Sequence, residues 1–127
     1  MLLAAALADP GLRNWKAAVR GFQTLHRSGA YRIVFFVNMA PTPCQAGNFF
    51  KQRNSGMWNT YFLRVLGDGT PVVSSHDAFL PFHPSEVPLA GGHSLGNANL
   101  VKARVLADFL EEHGLLSAPT SHDKRSP

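Results

Sequence analysis

The stretch YRIVFFV, residues 31–37, predicts the fold class of this chain. It is a short apolar run, rich in aromatic and β-branched residues, between a helical pattern and a proline-containing loop. Such a run after a helix is typical of a strand that is buried on both faces of a parallel sheet. Pro41 and Pro43 follow the run and cannot donate to a ladder, so the strand is predicted to end before them.

Helical spacing of apolar residues flanks this strand on both sides. Upstream, the spacing predicts a helix over 14–28, with Asn14 as its cap and Gly29 at its end. Downstream, a similar pattern predicts a second helix from about 55 to 66, after a polar loop over 45–55. The order of helix, strand and helix indicates an α/β protein.

The C-terminal half predicts a second strand and a third helix. PVVSSHDAF, residues 71–79, is typical of a strand with polar residues at its C-terminal end. Residues 80–92 carry three prolines and predict a loop. Apolar residues over 97–115 recur as in an amphipathic helix, which Asn97 would cap. Because two strands make a small sheet, the edge of 31–37 stays unpaired and predicts self-association.

Composition narrows the class of protein. The chain has 127 residues, of which 45% are hydrophobic and 16% charged, as in one globular domain. We expect this domain to span 1–116 and a disordered polar tail to span 117–127. The formal charge of +4 is scattered, which favours a solvated surface over nucleic-acid binding. Cys44 is the single cysteine, so no internal disulfide is predicted, and the cysteine count does not indicate the cellular compartment. No apolar run is long enough to span a bilayer, and MLLAAALAD lacks the positive start of a signal peptide.

The segment VVSSHDAFLPFHPSEVPLAGGHSLGNANLVKARVLADFL, residues 72–110, resembles the end of SGNH (GDSL-type) hydrolases. In that family a catalytic histidine lies in a loop after the last strand, and a glycine and a terminal helix follow it, as in HSLGN at 93–97. The resemblance implies a doubly wound, flavodoxin-like parallel sheet in three α/β/α layers. This chain would be the C-terminal part of such a domain, with His93 as general base and acid. The implied activity is hydrolysis or acyl transfer on a small or carbohydrate-linked ester, without a cofactor.

Several motifs of that family are absent from these 127 residues. Neither the G-D-S block that carries the nucleophilic serine nor the G-x-N-D block occurs, so the resemblance implies an upstream nucleophile and a chain that is inactive alone. The family places an acid three residues before the histidine, where this chain has Ala90. Asp77 or Glu86 would then orient His93, or a Ser–His dyad would use a backbone carbonyl. Asn38, at the end of the first strand, would face the substrate or serve a turn.

Other interpretations of the polar residues stay open. SSHD, residues 74–77, places a serine, a histidine and an aspartate side by side, but neighbours on a strand point to opposite faces, so we expect a polar strand end. The spacing of His76, His83 and His93 matches no zinc signature, so no metal site is predicted. One alternative is a hydrolase with Cys44 as nucleophile and His93 as base. The other is a non-catalytic α/β module that binds a ligand or a partner.

Overall fold

The first helix, α1, spans Pro10–Arg27. It belongs to a computed structural model that describes residues 10–40, 49–83, 85–87, 89–90, 93–94 and 96–116. Proline suits the first turn of a helix because its missing N–H would have no partner there. Asn14 therefore lies inside α1, and the prediction that it caps the helix is wrong. The predicted end is confirmed, because Gly29 has a φ of 74° and donates its N–H to the carbonyl of His26 at 3.0 Å.

Two short strands, β1 (Phe35–Val37) and β2 (Val72–Ser74), form a parallel sheet. Both strands are shorter than predicted. Phe35 is the first residue of β1 and donates its N–H to the carbonyl of Pro71 at 3.0 Å, whereas the N–H of Ile33 donates to Nδ1 of His26 at 3.1 Å and not to a strand. Val37 is buried and its neighbours in β1 are half-buried, so the expectation of a strand buried on both faces is wrong.

The second helix, α2, spans Phe49–Leu66, so the predicted loop over 45–55 is wrong from residue 49 onward. Gly67 follows the helix and donates its N–H to the carbonyl of Leu63 at 2.9 Å. A Cβ at this position would lie 2.7 Å from that carbonyl oxygen and 2.9 Å from Cγ1 of Val72. Glycine thus lets β2 begin directly beside the end of α2.

α1, β1 and α2 pack together around one apolar cluster, the N-terminal core, which consists of Val19, Val37 and Leu66. Trp15 of α1 and Phe62 of α2 pack against this core and meet edge to face, with 5.4 Å between their ring centroids. Aromatic pairs favour this geometry because the positive edge of one ring faces the negative face of the other. The amphipathic spacing that predicts the two helices therefore also identifies the residues that join them.

A buried glutamine links α1 to the end of α2. The Nε2 of Gln23 donates to the carbonyl of Val65 at 2.9 Å and to that of Leu66 at 3.1 Å. The last carbonyls of a helix have no partner within the helix, so a side chain from a neighbouring element has to satisfy them when they are buried. Gln23 performs this function for α2.

The chain leaves the sheet after Ser74. A 3-10 helix over Asp77–Phe79 occupies the second half of the segment that was predicted as a strand. The prediction of a strand over 71–79 is therefore correct only for its first, apolar half. Polar residues that directly follow the half-buried strand β2 turn the chain here instead of extending the ladder.

The last helix, α3, spans Asn97–Glu112, and a short hairpin precedes it. β3 (Leu89–Ala90) and β4 (His93–Ser94) pair antiparallel within the region that was predicted as a loop. Gly96, with a φ of 48°, occupies the position before α3. Asn97 is the first residue of α3, so the prediction that it caps the helix is wrong.

A second apolar cluster, the C-terminal core, consists of Phe79, Val87 and Ala98. Only 1% of Phe79 and none of Ala98 is exposed. Ala40 and Val101 pack against this core. The core therefore joins the 3-10 helix, one loop residue, the first turns of α3 and the segment that follows β1.

Among the described residues, three helices and a two-stranded parallel sheet are consistent with a small α/β fold, as the sequence predicts. Within the described residues, no helix combines the length and the hydropathy that crossing a membrane requires. Residues 1–9 and the tail over 117–127 lie outside the described part of the chain. The expected self-association through the edge of β1 stays a prediction.

Candidate functional site

The segments that follow β1 and β2 lie side by side at the carboxyl end of the sheet. Ser75 joins them, because its N–H donates to the carbonyl of Val37 at 3.2 Å and its Oγ donates to the carbonyl of Met39 at 2.7 Å. Ser75 is fully buried. In open α/β sheets, functional side chains lie in the loops at this end of the strands. The residues around Ser75 therefore form the candidate site.

His76 connects a serine and an aspartate through its two ring nitrogens. Its Nδ1 lies 2.6 Å from Oδ1 of Asp77, and its Nε2 lies 3.3 Å from Oγ of Ser55 in α2. Only 7% of His76 is exposed. We call these three residues the Ser55–His76–Asp77 group. They are the types that a nucleophilic hydrolase uses, although α2 and the end of β2 supply them from separate parts of the chain.

The local backbone explains why neighbours in sequence meet here. His76 has φ −53° and ψ −56°, which is a helical and not an extended conformation. Side chains of successive residues in a strand point to opposite faces, and this alternation does not apply to His76 and Asp77, which lie outside the strand and are in contact. The interpretation of 74–77 as a polar strand end is therefore right for Ser74, the last residue of β2, and wrong for 75–77.

The carboxylate of Asp77 determines which ring nitrogen of His76 carries the proton. An ionised carboxylate is an acceptor only, so Nδ1 is the donor in this contact. In the neutral ring, Nε2 then carries the lone pair and accepts from Ser55. The side chain of Asp77 is 79% exposed, whereas that of His76 is 9% exposed. The contact is a hydrogen bond with neutral His76 and becomes an ion pair when the ring is protonated.

Hydrogen bonds with Ser74 and Asn59 fix the position of the His76 backbone. Ser74 Oγ accepts the N–H of His76 at 3.1 Å and donates to Oδ1 of Asn59 at 2.5 Å. Asn59 is buried and lies four residues after Ser55 in α2, so the two share one face of the helix. α2 therefore contributes two polar side chains to the end of β2.

His93, the predicted general base, lies in β4, where it pairs with Ala90 of β3. Its side chain is outside the described part of the structure, so its role stays a prediction. Ala98, in the first turn of α3, is buried with Phe79, and Ala40 packs on the same core. Because Ala40 follows β1 and Phe79 follows β2, α3 begins near the carboxyl end of the sheet.

The other predicted site residues have partners or positions of their own. Asp77 faces His76, as described above. Glu86 Oε2 accepts the N–H of His83 at 2.6 Å, and His83 Nδ1 lies 2.7 Å from Oγ of Ser85, in an exposed turn. Asn38 is exposed just after β1. The structure thus brings none of these side chains into a described contact with His93.

The remaining titratable groups include a partly buried lysine, Lys102. Burial lowers the pKa of the Lys102 ammonium group, whose Nζ lies 6.0 Å from the centroid of the Phe79 ring. Among the residues with a described structure, no three His, Cys, Asp or Glu side chains converge as metal ligands. Cys44, the alternative nucleophile, lies outside the described residues.

Three cationic side chains line one cleft of about 560 Å³ between α1 and the end of α2. They are Lys16, Arg20 and Arg64, and Asp68 lies beside them. The sequence had instead suggested that the positive charges are scattered. Neither Ser55 nor His76 lines this cleft. The basic cleft and the Ser55–His76–Asp77 group are therefore separate features.

No family model, curated protein or solved structure matched this chain in the three comparisons. Sequence reasoning missed two members of the group, Ser55 and His76. The signal for His76 was present, because polar residues directly after a predicted strand lie at the end of a parallel sheet where sites form. No local signal marked Ser55, which reaches His76 across 21 positions of the chain.

Proposed function

We propose that this chain is the histidine-bearing, C-terminal part of an SGNH-like ester hydrolase or acyl transferase. Its substrates are small or carbohydrate-linked esters. The packing of α3 supports this proposal, because its first turn lies against residues that follow β1 and β2. α3 thus begins near the carboxyl end of the sheet, where catalytic loops of α/β enzymes lie, and His93 precedes its first residue by four positions.

The proposed chemistry assigns proton transfer to His93. A serine hydroxyl is a weak nucleophile at neutral pH, and a neutral imidazole within hydrogen-bond reach takes its proton as the oxygen attacks the ester carbonyl. The same ring then protonates the departing alcohol. No G-D-S block occurs in the 127 residues, so in this proposal other sequence supplies the serine that works with His93.

Asp77 and Glu86 are the two carboxylates predicted as candidates for orienting His93. Asp77 contacts His76, and Glu86 accepts from the backbone of His83. Both carboxylates thus have described partners other than His93. We therefore favour a Ser–His dyad in which a backbone carbonyl orients the ring.

The test is ester hydrolysis by the polypeptide that the complete gene encodes. His93→Ala is expected to lower kcat for p-nitrophenyl acetate by about 10³-fold or more, because one ring serves as both base and acid. The assay uses a Ser55→Ala background, so that the Ser55–His76–Asp77 group does not contribute. Circular dichroism confirms that each variant is folded.

His83→Ala is the matched control, because it removes an exposed histidine from the same region and should leave kcat unchanged. Glu86→Gln should also be silent if a dyad operates. The assignment fails if His83→Ala abolishes hydrolysis while His93→Ala retains it. A large loss in Glu86→Gln would replace the dyad by a triad.

A further inference from the structure

We propose that the Ser55–His76–Asp77 group is a second nucleophilic site, at which small esters acylate Ser55. This inference is independent of the function proposed for His93, because all three residues belong to the described part of this chain. It contradicts the expectation that the 127 residues contain no serine that acts as a nucleophile. The hydroxyl, the base and the orienting carboxylate are already in contact without substrate.

The direction of the hydrogen bonds favours proton transfer from Ser55. Asp77 accepts from Nδ1, so the neutral ring presents its Nε2 lone pair to the hydroxyl. A separation of 3.3 Å is typical of a base that tightens its hydrogen bond only when substrate binds. The opposite tautomer would leave the carboxylate facing a ring nitrogen without a proton.

His76 is held in place by more than Asp77. Its backbone N–H donates to Ser74, whose hydroxyl donates in turn to the buried Asn59. Fixed orientation matters, because a base that is already positioned does not need to be ordered in the transition state. Asn59 is thus a positioning residue, and Asp77 is a second one.

The Ser55–His76–Asp77 group is partly exposed to solvent. Ser55 is half-buried, and the side chain of Asp77 is 79% exposed. A small ester can therefore approach the group from solvent.

The step conserves atoms and electrons with water as the only other reactant. The Oγ of Ser55 forms a bond to the carbonyl carbon of the ester while its proton moves to Nε2 of His76. The bond between that carbon and the alcohol oxygen then breaks, and the alcohol leaves with the proton from His76. Water, activated by the same ring, hydrolyses the acyl group and restores Ser55.

The experiment exposes the intact 127-residue chain to p-nitrophenyl acetate and, separately, to a fluorophosphonate probe. A stoichiometric burst of p-nitrophenol and an adduct located on Ser55 by peptide mass spectrometry are expected. Ser55→Ala should remove both. His76→Gln should slow acylation by about 10²- to 10⁴-fold, the usual contribution of a general base.

Asp77→Asn should slow acylation and Asp77→Glu should restore most of it, whereas a merely structural contact would show no such rescue. Ser85→Ala is the matched control, because Ser85 contacts His83 at 2.7 Å in an exposed turn without a carboxylate on the other ring nitrogen. The adduct is located on Ser55 by mass spectrometry and the His93 proposal is tested in a Ser55→Ala background, so that failure of this site and failure of the His93 proposal remain distinguishable.

The labelled wild-type chain decides the proposal even if a buried variant does not fold. A folded wild-type chain without an adduct on Ser55, or with adducts on Ser85 and lysines alone, would overturn it. Labelling of Ser55 at an undiminished rate in a folded His76→Gln variant would overturn the assignment of the base.

Discussion

The two apolar cores of this molecule have three buried side chains each, but they arise from different kinds of sequence. The N-terminal core joins α1 and α2, two helices of 18 residues, to β1. The C-terminal core joins a 3-10 helix of three residues, Val87 from a loop and the first turn of α3. Periodic patterns therefore determine the first core, whereas tertiary packing of short segments determines the second.

The Ser55–His76–Asp77 group lies where these two parts of the molecule meet. Ser55 comes from α2, which packs on the N-terminal core, and Asp77 opens the 3-10 helix, which ends in the C-terminal core. The geometry of the group therefore depends on both cores. If the two cores are stabilised separately, a substitution in one should leave the stability of the other unchanged.

The largest expected effect comes from Phe79→Ala, which should lower the free energy of unfolding by about 3–5 kcal/mol, because truncating a fully buried ring leaves a cavity. Leu66→Ala, in the N-terminal core, should lower it by about 2–5 kcal/mol. Urea titration measures both. In hydrogen exchange, Phe79→Ala should expose amides of α3 more than those of α1, and Leu66→Ala the reverse. Equal increases in both helices would show one cooperative unit.

Gln23→Met should lower the free energy of unfolding by about 1–3 kcal/mol, because it keeps the volume of the side chain and leaves two buried carbonyls at the end of α2 without their donor. Arg20→Met, at an exposed position of the same helix, is the matched control and should change stability by less than about 0.5 kcal/mol. Thermal and urea melts compare the two. Equal losses would mean that the hydrogen bonds of Gln23 do not stabilise the N-terminal core.

Gly56→Ala should raise the free energy of unfolding by about 0.5–1 kcal/mol, because glycine inside a helix loses more backbone entropy than alanine and open space surrounds this position. Gly21→Ala in α1 should give a similar gain. Gly67→Ala should instead destabilise the fold, since its Cβ would press on Leu63 and Val72. A stabilised Gly67→Ala variant would show that β2 can move away from α2.

The smallest effect is expected for Lys102→Met, which should raise the melting temperature slightly at pH 7. Burial lowers the pKa of Lys102 in the folded chain, so the unfolded chain binds this proton more tightly. Stability contributed by the lysine therefore increases as the pH rises from below the folded pKa toward its ordinary value. The difference between wild type and Lys102→Met should shrink between pH 7 and pH 10. A difference that is equal at both values would exclude this cause.

The helices could be predicted from the sequence because their periodicity reflects which face contacts the N-terminal core. Their starts were missed, although the residues directly before them, Asp9 and Asn48, are types that favour the N-cap of a helix. The length of β1 could not be predicted either, since no local pattern shows that the amide of Ile33 donates to His26 and not to a strand.

The candidate site was harder to predict than the fold. SSHD marked the right position, but the alternation rule for strands does not apply after Ser74, where the chain turns and His76 contacts Asp77. Ser55 required knowledge of how α2 packs beside β2, which no local pattern contains. The predicted role of His93 comes from a family resemblance and stays a prediction.

The parallel ladder between β1 and β2 has a consequence for the order of events during synthesis. Phe35 pairs with Val72, so the first strand emerges well before its partner. At about 5–20 residues per second, the ribosome leaves it without that partner for on the order of several seconds. A helix such as α1 relaxes within about a microsecond, so it can form long before the ladder can close. During this interval the apolar segment Phe35–Val37 is exposed and a chaperone can bind it. Slower translation between the two strands would lengthen that exposure.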